Sequence, residues 1–399
     1  MKIAVIDDSG FGSGKGLFGK ELYVELLAKV NEDILGNKAI RILLGSSSED
    51  NRIVGIIGLK TPIIRDFRDE ILRQKLEEVL KDEKPDIIHV NVANARYPRN
   101  IVNVAKKMDI PIVTTVHSWM YVCPSGWAVK LPEQIICSNL GVQTHCIRCL
   151  MKVAELYKEN KVSRLIDGIN LHYSLRSLLR NSKAVISPCK SLAKSIEQSL
   201  KLKRIYTLPN LIPEELINME PKYGGRNAVA FCARLNYQKG VHLLSDMAQR
   251  LPETTFNVMG AGLLEEEVRK SSREYKNIIY HGFVSKEKVE IISRCRAVIM
   301  PVLGFEAFGY TVAEAFSLGK PVIGFAVGGV KEMIEDSGAG FAVSPFDVNK
   351  FTKSITSIVE NEGFSKELGL RGRAFAEKKL GPHLYAEQIQ TIYRNVMNY

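Results

Sequence analysis

Two carboxylates stand eight positions apart in the segment 296–335, with Glu306 before a Phe-Gly turn and Glu314 after it. A carboxylate in a turn accepts hydrogen bonds from the hydroxyl groups of a sugar. Because helical side chains tilt toward the helix N-terminus, Glu314 could reach back from a following helix to the same ligand. The start of that helix would bind an anion such as phosphate through Phe308, Gly309, Tyr310 and Thr311. The pattern predicts a site for an uncharged polyol beside a phosphate; two solvated glutamates are the alternative.

A pair of cations follows another apolar run, Ala228–Cys232. Arg234 and Lys239 lie five positions apart in a loop that precedes a helical stretch. Two such cations can clamp a diphosphate and stabilise the charge that develops as it departs. Positive charge is unfavourable at a helix N-terminus, so Lys239 at this place indicates an anion nearby. Two surface cations are the alternative.

Glycine-rich loops follow two of the predicted strands. Gly14, Gly16 and Gly19 have the spacing of the fingerprint that binds dinucleotides. That fingerprint also expects an acidic residue at the end of the second strand, where this chain has Leu44-Gly-Ser-Ser. A nicotinamide-dependent enzyme is therefore a rival interpretation and not the preferred one. A weaker signal, a second loop after a strand, would let the backbone approach a nucleotide at Gly260 and Gly262.

The whole string around the two glutamates resembles the E-x7-E region of retaining glycosyltransferases of family 4, which have the GT-B fold. The likeness continues through Gly319-Lys320-Pro321-Val322, Gly328-Gly329 and Glu332. It implies that Glu306 contacts the transferred sugar and that Glu314 contacts the ribose of the nucleotide. Arg234 and Lys239 match the family's diphosphate motif, in which Ala233 replaces the usual glycine.

The resemblance also assigns roles in the first half of the chain. His117, directly after the predicted strand Ile112–Val116, matches a histidine that packs near the donor sugar. Ser118 replaces the aspartate that often follows it, so we predict that His117 positions the sugar and is not half of an acid–base pair. The donor diphosphate would also lie under the first glycine-rich loop, at Gly12, Gly14 and Gly16.

The length of 399 residues indicates two domains, because a single hydrophobic core rarely grows so large. Short apolar runs alternate with amphipathic stretches, which is typical of parallel α/β units, and the alternation breaks in the Pro- and Gly-containing stretch 209–225. We therefore predict an α/β protein with two Rossmann-like, doubly wound domains, 1–208 on the acceptor side and 226–381 on the nucleotide-sugar side, facing across a cleft. The resemblance implies that the C-terminal helix, 382–399, crosses back onto the first domain.

Four of the seven cysteines fall in an insertion, 119–150, of the first predicted domain: Cys123, Cys137, Cys146 and Cys149. Four thiolates suit a tetrahedral zinc ion, and an iron–sulfur cluster uses the same number. The single Cys-x-x-Cys is only half of a zinc signature, and disulfides are disfavoured in a reducing cytosol. A structural zinc, an iron–sulfur cluster, disulfides and free thiols all stay open as alternatives. A metal here would fix the conformation of an insertion that shapes the acceptor pocket.

The net charge of +11 is unevenly placed, since 151–206 holds 12 Lys plus Arg against 4 Asp plus Glu. Such a patch can attract anionic lipid headgroups or an acidic acceptor, with a solvated helix face as the alternative. No nucleic-acid-binding motif accompanies it, so we expect no nucleic-acid partner. No apolar run is long enough to span a membrane, and the N-terminus carries acids where a secretory signal has an apolar core. These features predict a cytoplasmic protein, with peripheral contact to an anionic membrane through 151–206 left open.

The resemblance implies a retaining hexosyltransferase that uses a nucleotide diphosphate sugar. The acceptor hydroxyl would belong to a glycan, a lipid-linked glycan or a small molecule. No Asp-x-Asp motif is present, so we expect no divalent ion at the diphosphate and no catalytic cofactor. The resemblance implies substitution on one face, in which the departing phosphate helps to deprotonate the acceptor. The alternatives are a nucleotide-sugar epimerase or nicotinamide enzyme on a related fold, and a non-catalytic nucleotide-sugar-binding protein.

Overall fold

The computed structural model of the chain describes residues 1–8, 19–44, 53–56, 65–92, 97–131, 133, 135–137, 143–285 and 287–398. The first glycine-rich loop, with Gly12, Gly14 and Gly16, therefore lies outside the described residues.

The first domain is built on a parallel sheet of seven strands with the order β3-β2-β1-β4-β5-β8-β9. Strands covered by helices on both faces need apolar residues at every position, which explains the near-continuous apolar runs in this half of the sequence. Its elements are β1 (Lys2–Asp7), α1 (Lys20–Lys29), β2 (Lys38–Leu44), β3 (Ile53–Ile56), α2 (Arg65–Glu83), β4 (Ile87–Asn91), α3 (Tyr97–Lys107), β5 (Ile112–Thr115), β6 (Val129–Lys130), β7 (Ile135–Ile136), α4 (Thr144–Leu156), α5 (Lys161–Asn181), β8 (Ala184–Ser187), α6 (Lys190–Leu200) and β9 (Ile205–Thr207).

The second domain repeats this plan with a parallel sheet of six strands in the order β12-β11-β10-β13-β14-β15. The prediction of two doubly wound α/β domains is confirmed. The remaining elements are α7 (Glu214–Asn218), β10 (Arg226–Cys232), α8 (Leu244–Arg250), β11 (Thr255–Met259), α9 (Glu265–Glu274), β12 (Ile278–Gly282), α10 (Glu287–Arg294), β13 (Cys295–Met300), α11 (Tyr310–Ser317), β14 (Val322–Phe325), α12 (Gly328–Ser337), β15 (Gly340–Val343), α13 (Val348–Val359), α14 (Glu362–Lys379) and α15 (Pro382–Met397).

The last helix, α15, crosses back to the first domain, as predicted. Pro382 occupies its first turn, where the missing backbone N–H has no intrahelical acceptor to lose. The buried side of the helix joins the core around Ile3 and Val5 through Tyr385, Ile389 and Tyr393. The first domain therefore completes its core with the end of the chain.

Two contacts cross the boundary between the domains and join α12 of the second domain to α6 of the first. The carboxylate of Glu332, in α12, accepts hydrogen bonds from the backbone N–H groups of Lys190 and Ser191 at 2.7 Å each. These amides open α6 of the first domain, so the acid satisfies a helix N-terminus from outside. The Lys190 ammonium also pairs with Asp336 at 2.8 Å.

The cysteine-bearing insertion packs against the second domain as well as the first. Trp127, Val129 and Cys149 belong to the same buried cluster as Phe231 of β10. The backbone N–H of Phe305 donates to the carbonyl of Trp127 at 2.9 Å, which joins the insertion to the loop before α11. The sequence predicted only that the insertion shapes the acceptor side, whereas the structure shows it spanning the cleft.

A buried histidine links α15 to the first sheet and makes stability depend on pH. His89 contacts the Tyr393 hydroxyl through Nδ1 and the Thr115 hydroxyl through Nε2, both at 2.7 Å. Burial lowers the pKa of His89 to about 3. In the unfolded chain the pKa is about 6.5, so between these values the unfolded state binds more protons. The stabilisation that neutral, buried His89 contributes is therefore complete above about pH 6.5 and is lost as the pH falls toward about 3.

We expect the free energy of unfolding to decrease from pH 7 to pH 5, with a contribution from His89 of at most about 1.4 kcal/mol per pH unit. His172, whose pKa burial lowers to about 4, adds a second contribution of the same sign. Urea unfolding at both pH values measures the change, and His89→Gln should flatten it. Exposed His383 is the control, since His383→Gln should leave the pH dependence as it is. An unchanged pH dependence in His89→Gln would contradict the assignment.

Candidate active site

Glu306 lies in the loop between β13 and α11, and two glycines hold this loop in place. The N–H of Gly329 donates to the carbonyl of Glu306 at 2.8 Å. Gly328 has φ +50°, and a Cβ atom there would lie 2.2 Å from that same carbonyl oxygen. The turn can therefore form only with glycine beneath it. The Glu306 carboxylate, about one fifth exposed, forms an ion pair with the Lys239 ammonium.

The loop after β10 delivers the two predicted cations to this place. Lys239 ends a short 3₁₀ turn, and its backbone N–H donates at 3.1 Å to the side-chain oxygen of Asn236, which caps the turn. Gly240 follows with φ +73°, and a Cβ atom there would lie 1.8 Å from the Pro301 carbonyl oxygen. This close approach brings the loop against the end of β13. Arg234 is exposed and makes no ion pair within the described part of the chain.

Glu314 is paired with a lysine that the sequence analysis did not identify. Its carboxylate, 12% exposed, lies 2.6 Å from the ammonium of Lys288 in α10. Burial acts to lower the pKa of Lys288, but the adjacent Glu314 carboxylate outweighs it and the pKa is raised. The site thus contains two glutamate–lysine pairs. No local motif marks Lys288, because its role depends on how α10 packs beside α11.

The N-terminus of α11 lies between the two glutamates. Gly309, with φ +91°, precedes it, and the N–H groups of Tyr310 and Thr311 have no acceptor within the helix. The Thr311 hydroxyl donates to the carbonyl of Cys232 at 2.9 Å, which seats the helix over the end of β10. Phe308 is buried in the core, so only its backbone is suited to face a ligand.

The second glycine-rich loop packs tightly against the loop that carries Arg234. A Cβ atom on Gly260 would lie 2.0 Å from the carbonyl oxygen of Ala233, and one on Gly262 would lie 2.6 Å from that of Leu235. Both glycines have positive φ. Close backbone packing therefore accounts for these glycines without a ligand, and nucleotide contact through them stays a prediction.

His117 lies just after β5 in the first domain, two residues before Trp119. Its Nε2 lies 2.9 Å from the side-chain oxygen of buried Asn91, so Nε2 carries the proton and Nδ1 is an acceptor. Burial, reinforced by the charge of Lys20, holds the pKa of His117 well below its usual range. The ring is therefore neutral. Asn91, at the end of β4, was not identified from the sequence.

The segment after His117 touches the Glu306 turn directly. The indole N–H of Trp119 donates to the carbonyl of Glu306 at 3.4 Å, and its ring contacts Phe305 edge to face at 4.7 Å. The segment that follows His117 in the first domain therefore meets the turn that carries Glu306, the partner of Lys239, in the second domain.

None of the seven cysteines, all of which lie in the described residues, forms a disulfide. Cys146 and Cys149 accept hydrogen bonds from backbone N–H groups at 3.3 Å, and Cys137 lies 3.5 Å from His145. Burial raises the pKa of the Cys146 and Cys149 thiols. In the described part of the chain no group of three or more His, Cys, Asp or Glu side chains is arranged to hold a metal.

A structural zinc or iron–sulfur cluster bound by Cys123, Cys137, Cys146 and Cys149 stays a prediction, since the described residues do not show an assembled site. Elemental analysis of the purified protein is the test. About one zinc per chain would support zinc, and iron with visible absorption would support a cluster. Metal-free protein would reject both.

Within the described residues no helix combines the length and the apolar character needed to cross a membrane.

Comparison with solved structures defines the fold class. Sucrose-phosphate synthase from Thermosynechococcus elongatus superimposes with a TM-score of 0.74 at 16% identity, covering 100% of this chain and 99% of that one. Anabaena HepE, solved in complex with UDP and glucose, gives 0.70 at 18% identity, covering 99% and 100%. The two parallel α/β domains are therefore a GT-B fold.

Family models then identify the kind of enzyme. The model for glycosyl transferases group 1 matches residues 213–375, and the model for glycosyltransferase family 4 matches residues 43–216. A glycosyltransferase of Methanocaldococcus jannaschii is 24% identical over 371 residues, 90% of each chain. The O-antigen chain mannosyltransferase C of Escherichia coli is 30% identical over 168 residues, 40% of this chain and 44% of that one. The chain belongs to the GT-B glycosyltransferases.

Proposed function

We propose that the protein transfers a hexose from a nucleotide diphosphate sugar to an acceptor hydroxyl with retention at the anomeric carbon. The observation that carries the proposal is the ion pair of Glu306 and Lys239 in the turn that leads into α11, with exposed Arg234 in the same loop as Lys239. A departing diphosphate would lie against the two cations and the amides of α11, where its growing charge is stabilised. Glu306 would then be free to accept hydrogen bonds from the sugar.

The neighbouring pair, Glu314 and Lys288, supports the placement of the nucleotide. A carboxylate near the carboxyl end of β10 can accept both hydroxyls of a ribose, and Lys288 would hold it in that orientation. UDP is the first nucleotide to test, because HepE, which shares the fold, was solved with UDP. The acceptor would be a glycan, a lipid-linked glycan or a small molecule.

The direct experiment incubates the purified protein with UDP-, GDP- and ADP-hexoses and a panel of glycan acceptors in the presence of a chelator. We expect release of a nucleoside diphosphate and a product whose anomeric configuration, read by NMR, equals that of the donor. An inverted product would overturn retention, and activity restored only by a divalent ion would overturn the role of the two cations. Interconversion of the sugar without transfer would indicate an epimerase, and reduction of NAD would indicate a nicotinamide enzyme. Donor binding without turnover would indicate a binding protein.

His117 should position the donor sugar and take no part in proton transfer. Because its pKa is held well below the usual range, the ring stays a neutral acceptor at neutral pH. We expect His117→Ala to raise KM for the donor and to lower kcat/KM by about 10-fold to 100-fold, as for a lost hydrogen bond to a sugar hydroxyl. His383→Ala, which alters an exposed histidine in the first turn of α15, is the control.

The pH profile separates positioning from acid–base chemistry. The pH profile of kcat/KM should have the same shape for wild type and His117→Ala between pH 6 and 8, because in neither protein does residue 117 change its charge over this range. If one limb of the wild-type pH–rate profile disappeared in His117→Ala, this histidine would be shown to transfer a proton.

A further inference from the structure

The helix α5 is apolar on two sides, and only one of them is covered by the protein. Gly168, Leu175 and Leu179 are on the buried side. On the other side Val162 is 65% exposed, Ile166 51% and Tyr173 58%. Their spacing of four and seven residues places the three side chains in one stripe. An apolar stripe on a helix normally packs against another element.

Neighbouring elements extend this exposed apolar character. Of the thirteen large apolar side chains that are exposed among the described residues, seven fall between positions 135 and 173. Four of them precede α5: Ile135 and Ile136 in β7, and Ile147 and Met151 in α4. The helices α4 and α5 pack closely, because a Cβ atom on Gly168 would lie 2.7 Å from Leu150. We call the exposed side chains of β7, α4 and α5 the insertion face.

Unbalanced positive charge accompanies the insertion face. Lys158 and Lys161, around the α4–α5 turn, and Arg180, near the end of α5, are exposed and form no ion pair within the described ranges. Lys158 follows the C-terminal end of α4 in the left-handed backbone region, with φ +55°. The nearby acids Glu155 and Glu159 already pair with Lys152 and Arg164.

We propose that the insertion face docks on an anionic lipid bilayer, with its apolar side chains in the headgroup boundary and its cations on the lipid phosphates. Apolar side chains combined with Lys and Arg are the composition of surfaces that lie on membranes. Tyr173 suits the interface, where an aromatic ring with a polar tip is favoured. A second copy of the chain is a poorer occupant, because a symmetric contact would bring the same unpaired cations together.

The insertion face is connected to the active site. Tyr157, in the turn between α4 and α5, lies near the Arg234 charge and the backbone of Gln238. A bilayer on this face would therefore lie beside the loop that carries the donor cations. The inference does not rest on the proposed reaction, because docking is measured without turnover.

Sedimentation of the full chain with vesicles tests the proposal. We expect binding to vesicles that contain phosphatidylglycerol, weak binding to phosphatidylcholine alone, and release at high salt. The variant Val162→Ser/Ile166→Ser/Tyr173→Ser should lower the partition coefficient by at least about 10-fold. Leu370→Ser is the matched control, since Leu370 is 47% exposed on α14 of the second domain and its loss should not change binding.

A second variant, Lys158→Glu/Lys161→Glu, isolates the charge and should abolish the preference for phosphatidylglycerol. Calorimetry with UDP and thermal unfolding would show that each variant stays folded. Absence of vesicle binding by the wild type, or equal binding by wild type and the triple serine variant, would overturn the proposal. A dimer in sedimentation equilibrium that the triple variant converts to monomer would assign the face to a second copy and also overturn it.

Discussion

Replacing Arg234 or Lys239 by alanine should lower kcat by about 10²-fold to 10³-fold, which corresponds to about 2.7–4 kcal/mol of lost transition-state stabilisation. The reason is electrostatic, because in the proposed complex the departing diphosphate gains charge beside these two cations. Initial rates with a confirmed donor, at saturating acceptor, measure the effect. Lys331→Ala removes an exposed cation from α12 of the same domain and serves as the control.

The two substitutions differ in what they leave behind. Arg234 is exposed and without an ion pair in the described structure, so its loss removes only a contact to the ligand. Loss of Lys239 also leaves the Glu306 carboxylate without its partner, and that carboxylate is largely shielded from water. Lys239→Ala should therefore lose stability as well as turnover, whereas Arg234→Ala should melt like the wild type. Near-full turnover in both variants would show that the diphosphate lies elsewhere.

The double variant Lys239→Ala/Glu306→Gln separates these effects. If the stability loss in Lys239→Ala comes from an uncompensated carboxylate, neutralising Glu306 should restore much of it without restoring activity. Glu306→Gln alone should lower turnover, since the amide keeps the shape of the side chain and removes the charge that accepts hydrogen bonds from the sugar. Additive losses of stability in the double variant would mean that the ion pair is not the source.

The sequence predicted those parts of the site whose residues lie close together in the chain. Glu306, Gly309 and Glu314 follow one strand and enter one helix, and Arg234 and Lys239 share one loop, so residue type and spacing already indicated their positions. The crossing of α15 was implied by the family resemblance and is confirmed. In each of these cases the relevant contact is either within a few residues or fixed by the topology of parallel sheets.

Other parts depend on packing between distant segments, which a single sequence does not record. Lys288 reaches Glu314 only because α10 lies beside α11, and Asn91 holds His117 only because β4 and β5 are neighbours in the sheet. The insertion carrying Cys149 joins the core of the second domain through apolar residues that look ordinary in the sequence. Gly260 and Gly262 are a case in which the sequence signal is ambiguous. Tight backbone packing requires glycine at these positions, and contact with a nucleotide would require it as well.

The second large effect is expected in nucleotide binding and not in chemistry. Glu314→Ala should weaken the binding of UDP by roughly 10-fold to 150-fold, the loss expected for a charged hydrogen bond of about 1.5–3 kcal/mol. The ribose does not react, so kcat at saturating donor should change far less than KM. Calorimetry with UDP measures the affinity directly, and Glu290→Ala, which removes an exposed carboxylate from α10, is the control.

Lys288 provides a sharper test, because it touches Glu314 and acts on the nucleotide through it. If Lys288 only orients the Glu314 carboxylate, Lys288→Ala should weaken UDP binding in the wild-type background and have little effect in the Glu314→Ala background. If Lys288 instead contacts the nucleotide itself, the two losses should add. Equal UDP affinity in wild type and Glu314→Ala would reject the ribose contact, and the glutamate–lysine pair would then be a structural link between α10 and α11.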